Sequence, residues 1–404
     1  MAARRILFVE SSMGGVIGGS LTGILHLIAR LDRTRFAPSL ALFEAKPAVE
    51  EELARRGVPV HVLPSLPGRR KALAPGRLAR AVVRAADLWQ VVGPRARAVG
   101  GLIRRERPDL VYCANGLTAN LDAVVAAAVA RRRIVCHEKG FRRVGPAERF
   151  MSRWVDACVC MTDEIAAHYR TRHVRARRVL TILDGIDTTE FRPGGGPAVR
   201  REFGIPPDAP LVGIVGHIQG WKGQLLAAEA VARARAKHPA LRCLVVGGVH
   251  RDGAEYAERL RARIAAPDLA GHVVLAGARR DVPACLDAMD VVLHSSVTPE
   301  PFGRVLIEAM ALGKPLVAPA EGGPLVVVVD GTTGLLVPPR DPDALAGAIV
   351  ALLDDPPRRA AMGAAARARV DAVFDIRHHV RRVQELFDDL IGAGAAATAA
   401  TAAS

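Results

Sequence analysis

Two carboxylates eight residues apart, Glu300 and Glu308, bracket the run Pro301-Phe302-Gly303-Arg304-Val305-Leu306-Ile307. The apolar stretch Val291–His294 just ahead reads as a strand, and a helix is expected to open at Phe302–Val305. That places the first acid in a loop and the second two turns into the helix, so both can face one pocket. The first-turn N–H groups of Phe302, Gly303 and Arg304 have no partner within a helix and can hold an anion. A capped amphipathic helix with Leu306, Met310 and Leu312 in the core accounts for the apolar positions but not for the Pro-Phe-Gly between the acids. A second cluster, Gly216-His217-Ile218-Gln219-Gly220-Trp221-Lys222-Gly223, follows another expected strand. Lys222 beside glycines at a helix start is placed to meet a phosphate as a point charge, with His217 near it; alone it would equally be a surface lysine. A third, Gly14-Gly15-Val16-Ile17-Gly18-Gly19-Ser20, joins the first strand to the first helix. Gly18 and Gly19 there let backbone approach a phosphate, although a purely structural turn has the same composition. The spacing is not the G-x-G-x-x-G of dinucleotide folds. His137, in Cys136-His137-Glu138-Lys139-Gly140 at a strand end, is either a core histidine or a ligand-facing one.

Strands are expected at Arg5–Val9, Ser39–Phe43, Val58–Leu63, Asp109–Cys113, Arg133–Cys136, Ala157–Met161 and Val179–Leu183, with helices between them. One of these helices carries Ile24, Leu27, Ile28 and Leu31 on a single face. The glycine-rich stretch Phe191–Pro197 reads as a linker. Beyond it the alternation restarts at Leu211–Val215, Leu241–Val246, Val273–Leu275, Val291–His294, Pro315–Ala318 and Gly334–Val337, with a helix over Lys222–Lys237. Continuous apolar strands alternating with helices mean parallel sheets covered on both faces. The expected domains are a basic N-terminal one over residues 1–190 and a second α/β domain over 191–375. A closing helix over 376–392 is expected to return to the first domain, and an Ala-rich tail over 393–404 to be disordered.

The 404 residues are 50% hydrophobic and 24% charged, which excludes general disorder. Ser11–Ala29 is uncharged, but ten of its nineteen residues are Gly, Ser, Thr or His, so no transmembrane span is expected. Glu10 interrupts the apolar run after Arg4 and Arg5, which argues against a secretory signal. Six cysteines without C-x2-C spacing give neither a disulfide scaffold nor a structural zinc site. A cytoplasmic protein is expected. Its formal charge of +15 lies wholly in the first half: residues 1–195 hold 33 Lys/Arg and 18 Asp/Glu, and 196–404 hold 23 of each. The excess is densest over Arg69–Arg107. With aromatics at 4% and no nucleic-acid motif, nucleic acid is not expected as a partner. A solvated surface, or docking on an anionic membrane face helped by Leu88, Trp89, Val91 and Val92, fits the pattern.

These motifs together resemble the retaining glycosyltransferases of family 4, of GT-B type. The resemblance rests on the E-x7-E element Glu300 to Glu308, the segment ending Lys222-Gly223, Gly322-Gly323, and Asp330-Gly331-Thr332-Thr333-Gly334. Asp184-Gly185-Ile186-Asp187 with Phe191-Arg192-Pro193 adds to it. It implies two Rossmann-like domains facing across a cleft and transfer of a sugar from a UDP- or GDP-sugar to a glycan or lipid-linked acceptor, in cell-envelope or polysaccharide synthesis. The enzyme would be cytoplasmic or peripheral at the inner membrane face. Carried over by position, Glu300 lies against the donor sugar, Glu308 holds the ribose and Lys222 neutralises the pyrophosphate. Phe302, Gly303 and Arg304 offer backbone N–H groups, Gly18 and Gly19 close on the same phosphates, and His137 touches the donor sugar. No divalent metal or other cofactor is expected: the sole D-x-D, Asp341-Pro342-Asp343, reads as the N-cap of the helix Ala344–Leu353. Three positions depart from the family pattern: His217 where arginine is common, Val326 where an acid is usual, and Asp184 where asparagine is usual. Arg304 is a candidate to make up the charge missing at His217. The competing readings are a sugar-nucleotide 2-epimerase and a non-catalytic nucleotide-sugar-binding scaffold.

Overall fold

Strands β1 (Arg4–Glu10), β2 (Phe36–Leu42), β3 (Val60–Val62), β4 (Leu110–Cys113), β5 (Arg133–Glu138), β6 (Ala157–Cys160) and β7 (Arg178–Thr181) form one sheet in the order β3-β2-β1-β4-β5-β6-β7. Strands β8 (Leu211–Val215), β9 (Arg242–Val246), β10 (Val273–Gly277), β11 (Val291–Leu293), β12 (Leu316–Pro319) and β13 (Gly334–Val337) form a second, in the order β10-β9-β8-β11-β12-β13. The computed structural model describes residues 3–12, 19–64 and 88–402. Every strand pair in it is parallel. The reason is visible in the strands themselves: β4, β6 and β12 are buried at every residue, so helices must cover both faces.

The chain divides into two units, residues 1–183 with 379–404, and residues 184–378. The first has a core built around Leu7, Val9, Val111, Leu102 and Cys136. The second packs Val212, Ile214, Val231, Leu241, Leu293 and Ile349. Within the first, the helix Gly19–Arg30 buries Ile24, Leu27 and Ile28 as its 3.6-residue periodicity predicts. The six cysteines are free and buried. No helix among the described residues is long and apolar enough to cross a membrane.

Four expectations change here. The unit boundary falls at Leu183/Asp184 and not at Phe191–Pro197. That glycine-rich run belongs to the second unit, because the backbone N–H groups of Gly194 and Gly196 both donate to Asp287 at 2.8 Å. The last helix does not stop near residue 392 but runs Ile376–Ala402, in keeping with alanine's helix preference. Val91 and Val92 are buried, at 5% and 6% exposure, so they are not available to a membrane; the side chains of Leu88 and Trp89 lie outside the described residues. Arg95, within the basic run, is buried too: its guanidinium lies 3.8 Å from Asp122 and over the ring of Phe43. Arg69–Arg84 lies outside the described residues.

The chain returns to the first unit through that last helix, which seats Phe387 against Phe8, Phe36 and Tyr112 with ring centroids 6.5, 5.8 and 5.8 Å away. Arg4 and Arg35 both pair with Asp388 beside it. Phe387→Ala is expected to cost about 3–5 kcal/mol of stability through the cavity it leaves. Arg382→Ala, exposed on the same helix, should stay within about 0.5 kcal/mol. Chemical denaturation of the two variants checks this: equal effects would mean that the helix is not seated by its aromatic contact.

Candidate functional site

In a doubly wound sheet the ligand crevice opens beyond the carboxyl ends of the strands, where the chain leaves neighbouring strands in opposite directions. In the second unit that point lies between β8 and β11, since β8 continues to β9 on one side while β11 lies on the other. The loop after β8 carries His217 and Lys222, and the loop after β11 carries His294, Ser296 and Glu300. They meet: Lys222 Nζ donates to Glu300 Oε2 at 2.6 Å, with side-chain exposures of 19% and 10%. Lys222 also lies 4.0 Å from the Trp221 ring centroid, and Ser296 Oγ donates to Glu300 Oε2 at 3.4 Å. His294 Nε2 lies 3.5 Å from the same carboxylate oxygen. Burial, helped by the nearby Lys222 charge and opposed by Glu300, pushes the His294 imidazole down to about 4, so it is neutral at pH 7.

Lys222 does not open the long helix. It ends the turn Gly220–Lys222, and the helix begins only at Gln224. The break is Gly223, with φ +71°, where a Cβ would sit 1.8 Å from the carbonyl oxygen of Ser295. The turn is pinned from behind by Gln224, whose amide donates to the carbonyl of His217 at 2.9 Å. His217 itself is exposed, edge-on to His250 with ring centroids 6.0 Å apart. On the other side, Gly323 N–H donates to the Glu300 carbonyl at 2.6 Å. Gly322, at φ +66°, passes so close that a Cβ would lie 2.7 Å from that oxygen. The Gly322-Gly323 pair therefore holds the Glu300 loop.

Phe302 is buried against Phe374, and Gly303 caps the helix Arg304–Ala311. Glu308 lies on that helix with its side chain 20% exposed. Burial pushes its carboxyl above the ordinary range, Asp184 and Glu190 push the same way, and Arg304 opposes them. The Arg304 guanidinium donates to Asp184 at 3.0 Å and to the Gly185 carbonyl at 3.2 Å, and lies 3.8 Å from Glu308. It is thus held inside the unit, and the expectation that it replaces the charge missing at His217 is corrected. The aspartate at position 184 supplies the anion that holds it.

The other candidate residues lie in the first unit. Gly19 opens the helix Gly19–Arg30 beyond β1, and Gly18 lies outside the described residues. His137, at the carboxyl end of β5, is 1% exposed; its Nδ1 lies 2.8 Å from Tyr112 Oη and its ring stacks on His379 at 5.9 Å. Next to it Glu138 is fully buried and accepts the Leu117 N–H at 2.7 Å, and burial raises its carboxyl pKa. His294, Ser296 and Trp221 were not singled out in the sequence. Polar residues directly after an apolar strand are the signal that points to the first two. Asp341 caps the helix Pro342–Asp354 through the N–H groups of Asp343 and Ala344, which is its expected structural role. Among the described residues no group of three His, Cys, Asp or Glu is arranged to hold a metal ion.

Residues 48–190 match the family model described as Glycosyltransferase Family 4, and residues 197–369 match that of Glycosyl transferases group 1. A D-inositol 3-phosphate glycosyltransferase of Corynebacterium kroppenstedtii is 33% identical over 239 residues, covering 57% of this chain and 52% of that protein. Its namesake from Mycobacterium avium is 34% identical over 285 residues, covering 69% and 64%. The chain thus spans about half the length of the first of these relatives. Among solved structures, Anabaena Alr3699/HepE in complex with UDP and glucose matches with TM-score 0.78 and 25% identity, over 95% of this chain and 99% of that one. A glycosyltransferase of Rickettsia africae shares the fold at TM-score 0.80 and 18% identity, over 97% and 99%.

The buried neutral His294 makes stability depend on acid. Unfolded, the imidazole takes up a proton near pH 6.5; folded, it does so only near pH 4. The unfolded state binds more protons between those values, so stability falls as pH drops through that window, by at most about 1.4 kcal/mol per unit. Urea midpoints at pH 7 and 4.5 should show this loss in the wild type and a smaller one in His294→Gln. Identical losses would show that His294 is not the group responsible.

Proposed function

We propose that this chain transfers a sugar from a nucleotide-sugar donor to an acceptor hydroxyl with retention of anomeric configuration, a reading supported by the match of residues 48–190 to the Glycosyltransferase Family 4 model, of residues 197–369 to the Glycosyl transferases group 1 model, and by its two Rossmann-like parallel sheets. The observation that carries the reading is the Lys222–Glu300 pair at the carboxyl ends of β8 and β11. Transfer breaks the bond between the anomeric carbon and the diphosphate oxygen. The electron pair leaves with the phosphate, and positive charge develops on the sugar. An ammonium fixed in a partly desolvated site stabilises the first charge without reorganising at the moment of reaction. Lys222 therefore neutralises the leaving diphosphate and Glu300 lies against the sugar. Glu300 also holds the lysine in place before the donor arrives.

Glu308, whose carboxyl is held above its ordinary range by burial, binds the ribose hydroxyls. Phe302, Gly303 and Arg304 contribute backbone N–H groups at the helix start. The acceptor hydroxyl attacks the face that the diphosphate leaves, its proton passing to the departing phosphate oxygen. No protein carboxylate acts as a covalent nucleophile and no divalent metal is required. UDP-sugars are the first donors to test, supported by the UDP-bound relative, with GDP-sugars second. For acceptors, glycans and lipid-linked glycans are joined by D-inositol 3-phosphate, for which the curated relatives are named.

Thermal unfolding with UDP-, GDP- and ADP-sugars, each with and without EDTA, tests the proposal. A donor at 100 times its Kd should add about 2.7 kcal/mol of stability. The expected result is a shift with one nucleotide that survives EDTA and is lost in Glu308→Ala. Lys222→Ala should lower turnover about 10²–10³-fold, the scale of a removed oxyanion donor. A donor that is epimerised without any acceptor would replace transfer by epimerisation, and tight donor binding without turnover would make the chain a binding scaffold.

A further inference from the structure

The sheet of the first unit has two ends, and only one of them carries His137 and the helix beginning at Gly19. At the other end, the amino ends of the strands, Asp109 immediately precedes β4, Arg133 begins β5, Asp156 immediately precedes β6 and Arg177 lies just before β7. These residues, with Arg131, Arg132, Arg153 and Trp154, line a cavity of about 600 Å³, within the range of small-ligand sites. Five arginines face two aspartates there.

The two acids are already engaged. Asp109 accepts the Arg5 N–H at 2.8 Å. Asp156 accepts the Ile134 N–H at 2.9 Å and pairs with Arg133 at 3.0 Å and with Arg177 at 3.5 Å. Arg131, Arg132 and Arg153 have no ionic partner among the described residues. The Arg153 side chain donates to the Phe150 carbonyl and lies over the Phe150 ring at 3.8 Å. The Nε of Arg132 is buried without a hydrogen-bond acceptor, a state that folded proteins rarely leave uncompensated. Arg131 stands at φ +52°, in left-handed backbone where glycine is the default. Trp154, 42% exposed, gives the cavity an apolar wall.

We infer that this cavity is a second anion site, separate from the transfer site, which takes a ligand bearing adjacent phosphoryl groups. Guanidinium forks match phosphate oxygens two at a time, and three arginines without counter-ions around one cavity leave room for two adjacent phosphoryl groups. Simple surface repulsion would spread such charges apart, whereas here three consecutive arginines are brought beside Arg153 and Arg177. The source of the phosphoryl groups is a free phosphorylated molecule, because the cavity has the volume of a small ligand.

The probe is inorganic pyrophosphate, titrated calorimetrically at low salt into the full chain. Lys222→Ala is included to remove the cation of the second unit. The expected result is that Lys222→Ala retains a pyrophosphate site, while Arg132→Gln/Arg153→Gln weakens it about tenfold or more, the loss equivalent to about 1.4 kcal/mol or more. Nucleotide-sugar shifts should be unchanged in that double variant. Should it fail to fold, the more exposed pair Arg131→Gln/Arg177→Gln replaces it, with the same expectation. Pyrophosphate binding lost in Lys222→Ala and intact in both arginine pairs would overturn the inference. So would arginine-dependent flotation with phosphatidylcholine/phosphatidic acid vesicles without any response to soluble pyrophosphate, which would assign the arginines to a lipid surface.

Discussion

The contact between Lys222 and Glu300 is the constraint on which the candidate site of the second unit depends. An ammonium and a carboxylate brought to 2.6 Å with most of their surface covered give up hydration that their mutual attraction must offset. The molecule supports the pair from several sides, through the Trp221 ring, the Ser296 hydroxyl and a neutral His294. Two tight backbone crossings hold its loops, Gly223 beneath Ser295 and Gly322 beneath Glu300, and neither leaves room for a Cβ. Removing either charge would leave the other buried and alone, so the pair reads as a device for holding a charge in place. That is what a leaving diphosphate requires.

A second ion pair works differently. Arg304 is bound by Asp184 and the Gly185 carbonyl and lies near Glu308. Its charge tempers the rise in the Glu308 carboxyl that burial and the neighbouring acids cause. The segment at residues 184–185 is thereby tied to the helix that carries Glu308. An arginine in a helix's first turn would ordinarily suggest an anion from outside; here the anion is the protein's own.

The first unit separates its chemistry by strand direction. Parallel strands put all their carboxyl ends on one side, where β5 delivers His137 and Glu138 into buried surroundings. The amino ends gather arginines of β5 and of the segments before β6 and β7 around one cavity. Part of the basic excess is therefore neither diffuse nor wholly on the surface, as buried Arg95 also shows.

The sequence by itself determined the alternation of buried strands and helices. Leu211–Val215 and Gly334–Val337 were legible to the residue, because a strand covered on both faces must be apolar throughout. It also pointed to Lys222 and Glu300 as candidates, since a lysine beside glycines and an acid in loops after apolar strands have few structural reasons to be there. Only the tertiary structure decided which charges meet. Lys222 and Glu300 are far apart in the chain, and the strand order β8-β11 is what brings them together. Local pattern likewise could not show that Arg304 is spoken for by Asp184, that Val91 and Val92 are core, or that the Phe191–Pro197 glycines pack on Asp287. Residue type and spacing record what a segment can do by itself. Pairing, burial and counter-charge depend on partners that the chain supplies from elsewhere.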